Sequence, residues 1–275
     1  MHLRCVARTL SLEQPRVMGV INVTPDSFSD GGRTFDPSAA FDLGSRMVDE
    51  GAAIIDVGGE STRPGASPVD STEELRRVIP VIERLAALDV VVSIDTSKAA
   101  VAREALAAGA HLVNDVAALS EPGMMDVVAG SAAAVCLMHR QGTPRTMQLK
   151  PTYTDVVGEV AAFLRERADA CRAGGIDRDR IVLDPGFGFG KTLAHNVALL
   201  RNLPAIVQLG YPVLVGLSRK GMIGVLVGRE NPERLEGSVA AAVVAVLRGA
   251  RIVRAHDVAA TVDGLAVAYA VMRAD

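Results

Sequence analysis

The residues able to do chemistry in this chain recur at the ends of short apolar runs. Asn22, Asp56, Asp95, Asn114–Asp115, His139, Asp184, Ser218–Lys220 and Arg254–His256 each close a stretch rich in small aliphatic side chains. Lys220 is one of four lysines among 29 basic residues, so it stands out against an arginine-rich background. Side chains two apart in a strand share a face. Ser93 therefore goes with Asp95, Leu112 with Asn114, Val182 with Asp184, Ser218 with Lys220, and Arg254 with His256. A single carboxylate at a strand end is ordinarily a cap on the following helix. Six or more convergent polar positions of both charges are not explained by capping, because buried ions are costly unless they pair or meet a ligand.

Two chemical sets emerge. Asp95, Asn114, Asp184 and Lys220 offer carboxylates, an amide and an ammonium, which suit a flat heterocycle carrying several N–H donors and a carbonyl. Arg254, His256, Asn22 and Arg63 suit an anion or a metal-bound phosphate. Asp56 and Glu60 read either as partners of these groups or as ligands, and Asp56 is kept as a possible pocket residue. His139 reads equally as pocket wall and as helix cap. The glycines at 186, 188 and 190 fit backbone punctuation or close approach to a ligand.

The elements that must position these residues alternate. Apolar runs at 16–23, 52–58, 90–96, 111–116, 133–139, 181–185, 212–218 and 251–257 are separated by stretches with helical periodicity, among them 71–88, 97–108, 155–173 and 233–249. Eight such units recur at about 33 residues, which fits a (β/α)8 TIM barrel better than an open doubly wound sheet. Residues 1–15 are expected as an N-terminal extension and 16–275 as one barrel domain, with a short fourth helix.

Composition narrows the function classes. The net charge of −3 gives no electrostatic reason to expect nucleic acid. Three cysteines without CxxC spacing argue against a zinc site or a disulfide framework and for a reducing, cytoplasmic location. The longest strongly apolar run, residues 239–247, falls far short of the roughly 20 residues that span a bilayer, so no membrane segment is expected. The helix at 233–249 is apolar nearly all round, through Val239, Val243, Val244, Val246 and Leu247, which predicts burial on both sides and a homodimer.

The segments MGVINVTPDSFSDGG (18–32), IIDVGGESTRPGA (54–66), SIDT (93–96), NDV (114–116), LDPGFGFGK (183–191), LVGLSRK (214–220) and VRAHDV (253–258) together resemble the dihydropteroate synthase family. The resemblance runs in order from about residue 16 to the C-terminus. It implies a pterin-binding barrel that joins 6-hydroxymethyl-7,8-dihydropterin diphosphate to 4-aminobenzoate and releases diphosphate. It further implies pterin contacts at Thr62, Asp95, Asn114, Asp184 and Lys220, and diphosphate contacts at Asn22, Arg63, Arg254 and His256, with Asn22 on Mg²⁺. Asp95, Lys220, Arg254 and His256 would carry the chemistry. Loops at 23–33 and 61–69 would build the aminobenzoate site with Phe28, Thr62, Pro64 and Phe189. Two positions depart from the family pattern. Gly221 stands where many members have Ser, leaving a backbone N–H at a helix start to meet the aminobenzoate carboxylate, and Ala255 replaces a usual Val. A pterin-dependent methyltransferase of the same barrel type would not need the diphosphate set or the TPDSF and STRPG loops. A non-catalytic pterin-binding paralogue would not need Asn22, Thr62, Arg63, Arg254 and His256 intact.

Overall fold

Strands whose side chains are buried on both faces read as continuous aliphatic runs, and here they are covered by helices outside and packed on one another inside. The computed structural model describes residues 1–24, 36–61, 68–142, 146–147, 149–230 and 233–273. A hairpin of β1 (His2–Cys5) and β2 (Arg8–Ser11) comes first and is antiparallel. Then follow β3 (Arg16–Asn22), α1 (Pro37–Asp49), β4 (Ile54–Gly58), α2 (Ser71–Leu85), β5 (Val91–Asp95), α3 (Ala99–Ala107), β6 (Leu112–Asp115) and α4 (Met124–Ala129). The second half holds β7 (Ala134–Met138), α5 (Val156–Ala173), β8 (Ile181–Asp184), α6 (Leu193–Arg201), α7 (Pro204–Val207), β9 (Leu214–Gly216), α8 (Gly221–Val227), α9 (Leu235–Leu247), β10 (Ile252–Ala255) and α10 (Val258–Arg273). Helix starts are set locally: Asp36, Asp70 and Asp155 each accept a backbone N–H in the first turn of α1, α2 and α5.

The eight strands β3–β10 pair in parallel in the order β8-β7-β6-β5-β4-β3-β10-β9. A parallel bridge between Leu183 and Val213, with Leu183 N–H donating to Pro212 O at 2.9 Å, joins the two ends. The result is the expected (β/α)8 barrel, with a fourth helix of six residues. Alternation divides the core as strand parity requires. Ile21, Ile55, Val57, Val92, Ile94 and Val113 face the helices. Met18, Ile54, Val91, Leu112, Cys136, Val182, Leu214 and Ile252 fill the barrel interior.

The N-terminal residues are more than an extension. Leu3, Cys5 and Leu12, all fully buried, join the interior cluster, so the hairpin plugs the barrel at the end opposite the strand C-termini. Val6 N–H donates to Ala132 O at 3.0 Å, and Arg4 pairs with Asp177 and Asp179. The ninth strand is also shorter than the 212–218 run. It ends at Gly216, and Arg219 turns the chain at φ 58°. Lys220 thus reaches the barrel mouth through a turn and not through the strand parity expected from Ser218. Among the described residues no helix is long and apolar enough to cross a membrane.

Candidate active site

Strand register assembles the first part of the site. Asn22 lies opposite Gly58, Gly58 opposite Asp95, and Asp95 opposite Asn114, which sets three polar residues in one row across β3–β6. Asp56 sits two residues deeper on β4 and is fully buried. Its Oδ2 accepts from Arg254 Nε at 2.6 Å and from Asn114 Nδ2 at 3.0 Å. Arg254 Nη2 donates to Asp95 Oδ2 at 2.8 Å. One guanidinium therefore bridges two buried carboxylates, and the amide of Asn114 is tied to the same group. Asp56 Oδ1 and Ser93 Oγ, on register-paired residues, are buried without a hydrogen-bond partner among the described residues.

The charges reflect this crowding. Burial pushes the Asp95 carboxyl up to about 7, with Arg254 opposing and Asp56 adding to the rise. Burial works against the charge of Arg254, but Asp56 and Asp95 outweigh it and raise its pKa. The sequence assigned Asp95 to a heterocycle set and Arg254 to an anion set. In the folded chain the two residues are hydrogen-bonded, so the sets share one charge network through Asp56, a residue the sequence left open.

The segment after β8 builds the second part. Asp184 Oδ1 accepts from Gly186 N–H at 2.7 Å, and burial raises its pKa while that bond and Lys220 oppose the rise. Lys220 precedes the first turn of α8, donates from Nζ to Phe187 O, and stands 4.3 Å from the centre of the Phe189 ring. Burial lowers its pKa to about 8, with Asp184 acting in the other direction. Phe187, within the 183–191 segment, buries its ring completely in the helix-facing core and offers only its carbonyl. Gly186 and Gly190 adopt φ of 67° and 66°, and a Cβ there would lie 1.9 Å from His139 O and 2.3 Å from Gln141 O. The close approach these glycines permit is to the neighbouring chain segment.

His139 is neither a cap nor an open wall. It is buried, its Nδ1 lies 2.9 Å from Lys191 Nζ, and its ring meets Phe163 edge-on at 5.0 Å. Burial, and then the Lys191 charge, push His139 down to about 3, so its Nδ1 accepts from the lysine. His256 is half-buried beside Ser218, with Nδ1 3.1 Å from Ser218 Oγ and its backbone N–H donating to the same oxygen at 3.2 Å. Ser218 was visible at a strand end beside Lys220 but carried no assigned role, and Lys191 was visible only as one of the four lysines. Gly221 opens α8, and a Cβ added there would meet no atom within 4 Å, so the place of a Ser is open space.

Phe28, Thr62, Arg63 and Pro64 lie outside the described residues. The chain just before residue 62 is held firmly. Lys98 bridges Glu60 and the buried Glu74, and Arg77 Nη1 donates to Gly59 O at 2.8 Å. Among the described residues no group of three or more His, Cys, Asp or Glu could hold a metal ion. Asn22, half-buried at the end of β3, contributes a single carboxamide oxygen.

Comparison with known proteins agrees with this geometry. Residues 18–256 match the family described as pterin binding enzyme. The dihydropteroate synthase of Escherichia coli K12 is 49% identical over 275 residues, covering 100% of this chain and 98% of that protein. The dihydropteroate synthase of Xanthomonas albilineans solved with 4-aminobenzoic acid is 55% identical with a TM-score of 0.94, covering 100% of this chain and 99% of the other. The structure from the same organism in complex with 7,8-dihydropteroate is 52% identical with a TM-score of 0.91 and full coverage of both chains. With this identity over its whole length and the same barrel, the chain belongs to the dihydropteroate synthase family of pterin-binding enzymes.

Proposed function

We propose that the chain condenses 6-hydroxymethyl-7,8-dihydropterin diphosphate with 4-aminobenzoate to give 7,8-dihydropteroate and diphosphate, a transferase step of folate biosynthesis. One observation carries the reading: a buried Asp95–Arg254–Asp56–Asn114 network shares the barrel mouth with Asp184 and Lys220. Such a mouth holds acceptors for the N–H edge of a pterin and cations for its oxygen and its leaving group. The relatives solved with 4-aminobenzoic acid and with 7,8-dihydropteroate support the choice of substrates. They also favour it over a methyltransferase or a silent pterin binder.

The amine of 4-aminobenzoate is aniline-like, neutral at pH 7 and weakly nucleophilic, so the chain gains most by generating a strong electrophile. In our reading Asp184 and Asn114 accept from the pterin edge and orient the ring, while Lys220 bonds its oxygen or ring nitrogen. The C–O bond to diphosphate breaks with both electrons leaving on oxygen, and the methylene cation delocalises into the dihydropterin. Asp95 stabilises that positive charge from a position fixed in advance by Arg254. Arg254, through Nη1, and His256, steadied by Ser218, receive the diphosphate, with Arg63 joining them. The amine nitrogen then bonds the methylene carbon and gives up a proton. Phe28, Thr62, Pro64, Phe189 and the Gly221 N–H complete the aminobenzoate side.

Magnesium fits this site as an ion carried by the substrate. Mg²⁺ is held by one or two protein oxygens plus phosphate oxygens and waters, and Asn22 supplies one such oxygen at the mouth. When bound, the ion neutralises charge building on the departing diphosphate. The reading also includes a homodimer. α9 and α10 pack closely at Gly264, and Val244 and Leu247 on one and Val267 and Val271 on the other stay exposed, apolar surface that a second copy of the chain would cover. Three buried, unpaired cysteines accord with the reducing cytoplasm.

The test is diphosphate release from dihydropterin diphosphate, with and without 4-aminobenzoate and Mg²⁺. Release coupled to formation of 7,8-dihydropteroate is expected, and absence of an aminobenzoate-dependent product would overturn the assignment.

A further inference from the structure

Lys191 is the most unusual charge in the barrel that the proposed reaction leaves unused. Its side chain is only 3% exposed, yet its Nζ makes no ion pair among the described residues. It donates instead to Gly186 O at 2.9 Å, to Phe189 O at 3.1 Å and to His139 O at 3.4 Å, and it meets His139 Nδ1 at 2.9 Å. A buried ammonium facing only neutral acceptors is expensive, and a neutral side chain would fill the space more cheaply. What the ammonium alone offers is three N–H donors that tie one short turn, through Gly186 O and Phe189 O, to His139 beside it.

That turn is the one gripped by Lys220. Lys220 Nζ donates to Phe187 O and lies over the Phe189 ring, and Gly188 passes so close that an added Cβ would sit 3.2 Å from Lys220 Cδ. Asp184 is held by the Gly186 N–H of the same turn. Two lysines thus share five residues, one holding the carbonyls of Gly186 and Phe189, the other the carbonyl of Phe187 and the face of Phe189. We propose that Lys191 is a positioning residue for the reaction, fixing the 186–190 turn so that Lys220 and Asp184 present a preformed pterin site. Burial lowers Lys191 to about 7, with Asp184 supporting its charge and Lys220 opposing it, so the organising ammonium is held close to neutrality. The inference rests on the pterin reading of this mouth.

A double-mutant cycle with Lys191→Met and Lys220→Met, read as the affinity of 6-hydroxymethylpterin by calorimetry, tests the coupling. Lys191→Met is expected to weaken binding about tenfold in the parent and less than twofold in the Lys220→Met background, since its effect passes through Lys220. Equal losses in both backgrounds, or an unchanged affinity, would overturn the inference. A measurement on the unaltered chain keeps the question open to decision if Lys191→Met fails to fold. With only four lysines, ¹³C-lysine labelling gives four side-chain signals. On adding the pterin, the Lys191 and Lys220 signals should move with one binding constant. Movement of Lys220 alone rejects the positioning role and leaves the pterin reading intact. Movement of neither rejects the pterin reading itself, and the inference with it.

Discussion

At the scale of single residues, the distinguishing feature is one guanidinium between two buried carboxylates. Asp56 and Asp95 cannot both be neutralised by Arg254, and the surplus negative charge falls beside the proposed pterin ring. The arrangement is useful when a cation develops there and burdensome at rest. Because the carboxyl of Asp95 holds its proton up to about 7, the folded state binds that proton more tightly than the unfolded chain. The stability this contributes is present at low pH and is lost as pH rises through about 7. Asp95→Asn removes that loss, so the variant should gain about 1 kcal/mol over the parent at pH 8 and a smaller amount at pH 5, where only part of the loss has accrued. Its turnover should fall roughly 100-fold, as when a group aimed at developing charge is removed. Thermal melts at the two pH values and a rate assay check both halves, and a parent more stable than the variant at pH 8 would contradict the account. Arg254→Ala would strand the carboxylates of Asp56 and Asp95 as well as remove the proposed diphosphate contact.

At the scale of elements, the hairpin ahead of the barrel acts as a plug. Eight parallel strands leave an interior whose lower end must be filled, and Leu3, Cys5 and Leu12 fill it. Leu3→Ala should lower unfolding free energy by about 2–5 kcal/mol, measured in urea, because it opens a cavity where no neighbour can collapse. The kcat/KM of folded protein should stay near the parent value, because the mouth lies at the other end of the strands. Much of the element pattern was legible: eight aliphatic runs, their inward parity through Asp95, Asn114 and Asp184, and the short fourth helix. The hairpin was not, since two four-residue strands with two inward side chains carry too little periodicity to be seen. Lys220 was legible as a residue but not as geometry, because a strand ending at Gly216 and a left-handed Arg219 bring it to the mouth by a turn. Helix ends are closed by glycines at positive φ, Gly51 after α1, Gly109 after α3, Gly175 after α5 and Gly249 after α9.

At the scale of the whole molecule, one end of the strands is plugged, the other carries the polar residues, and one flank is apolar. Val267 and Val271 on α10 are 67% and 64% exposed, and Val244 and Leu247 on the adjoining α9 are exposed as well. Light scattering at micromolar concentration should give twice the chain mass, and Val244→Glu with Val267→Glu should give the monomer; a parent already monomeric would refute the dimer. The apolar character of α9 was readable from Val239 to Leu247, because a helix without a polar face needs cover on both sides. Sequence by itself determined the barrel, its family, and which residue types stand at the strand ends, for these depend on periodicity and on local order along the chain. Tertiary structure alone decided that Arg254 joins Asp56 to Asp95, that His139 serves Lys191, and that Phe187 turns into the core. Those pairings link residues as far as 198 positions apart, and which of several compatible charges meet is set by strand register and side-chain direction inside a closed barrel.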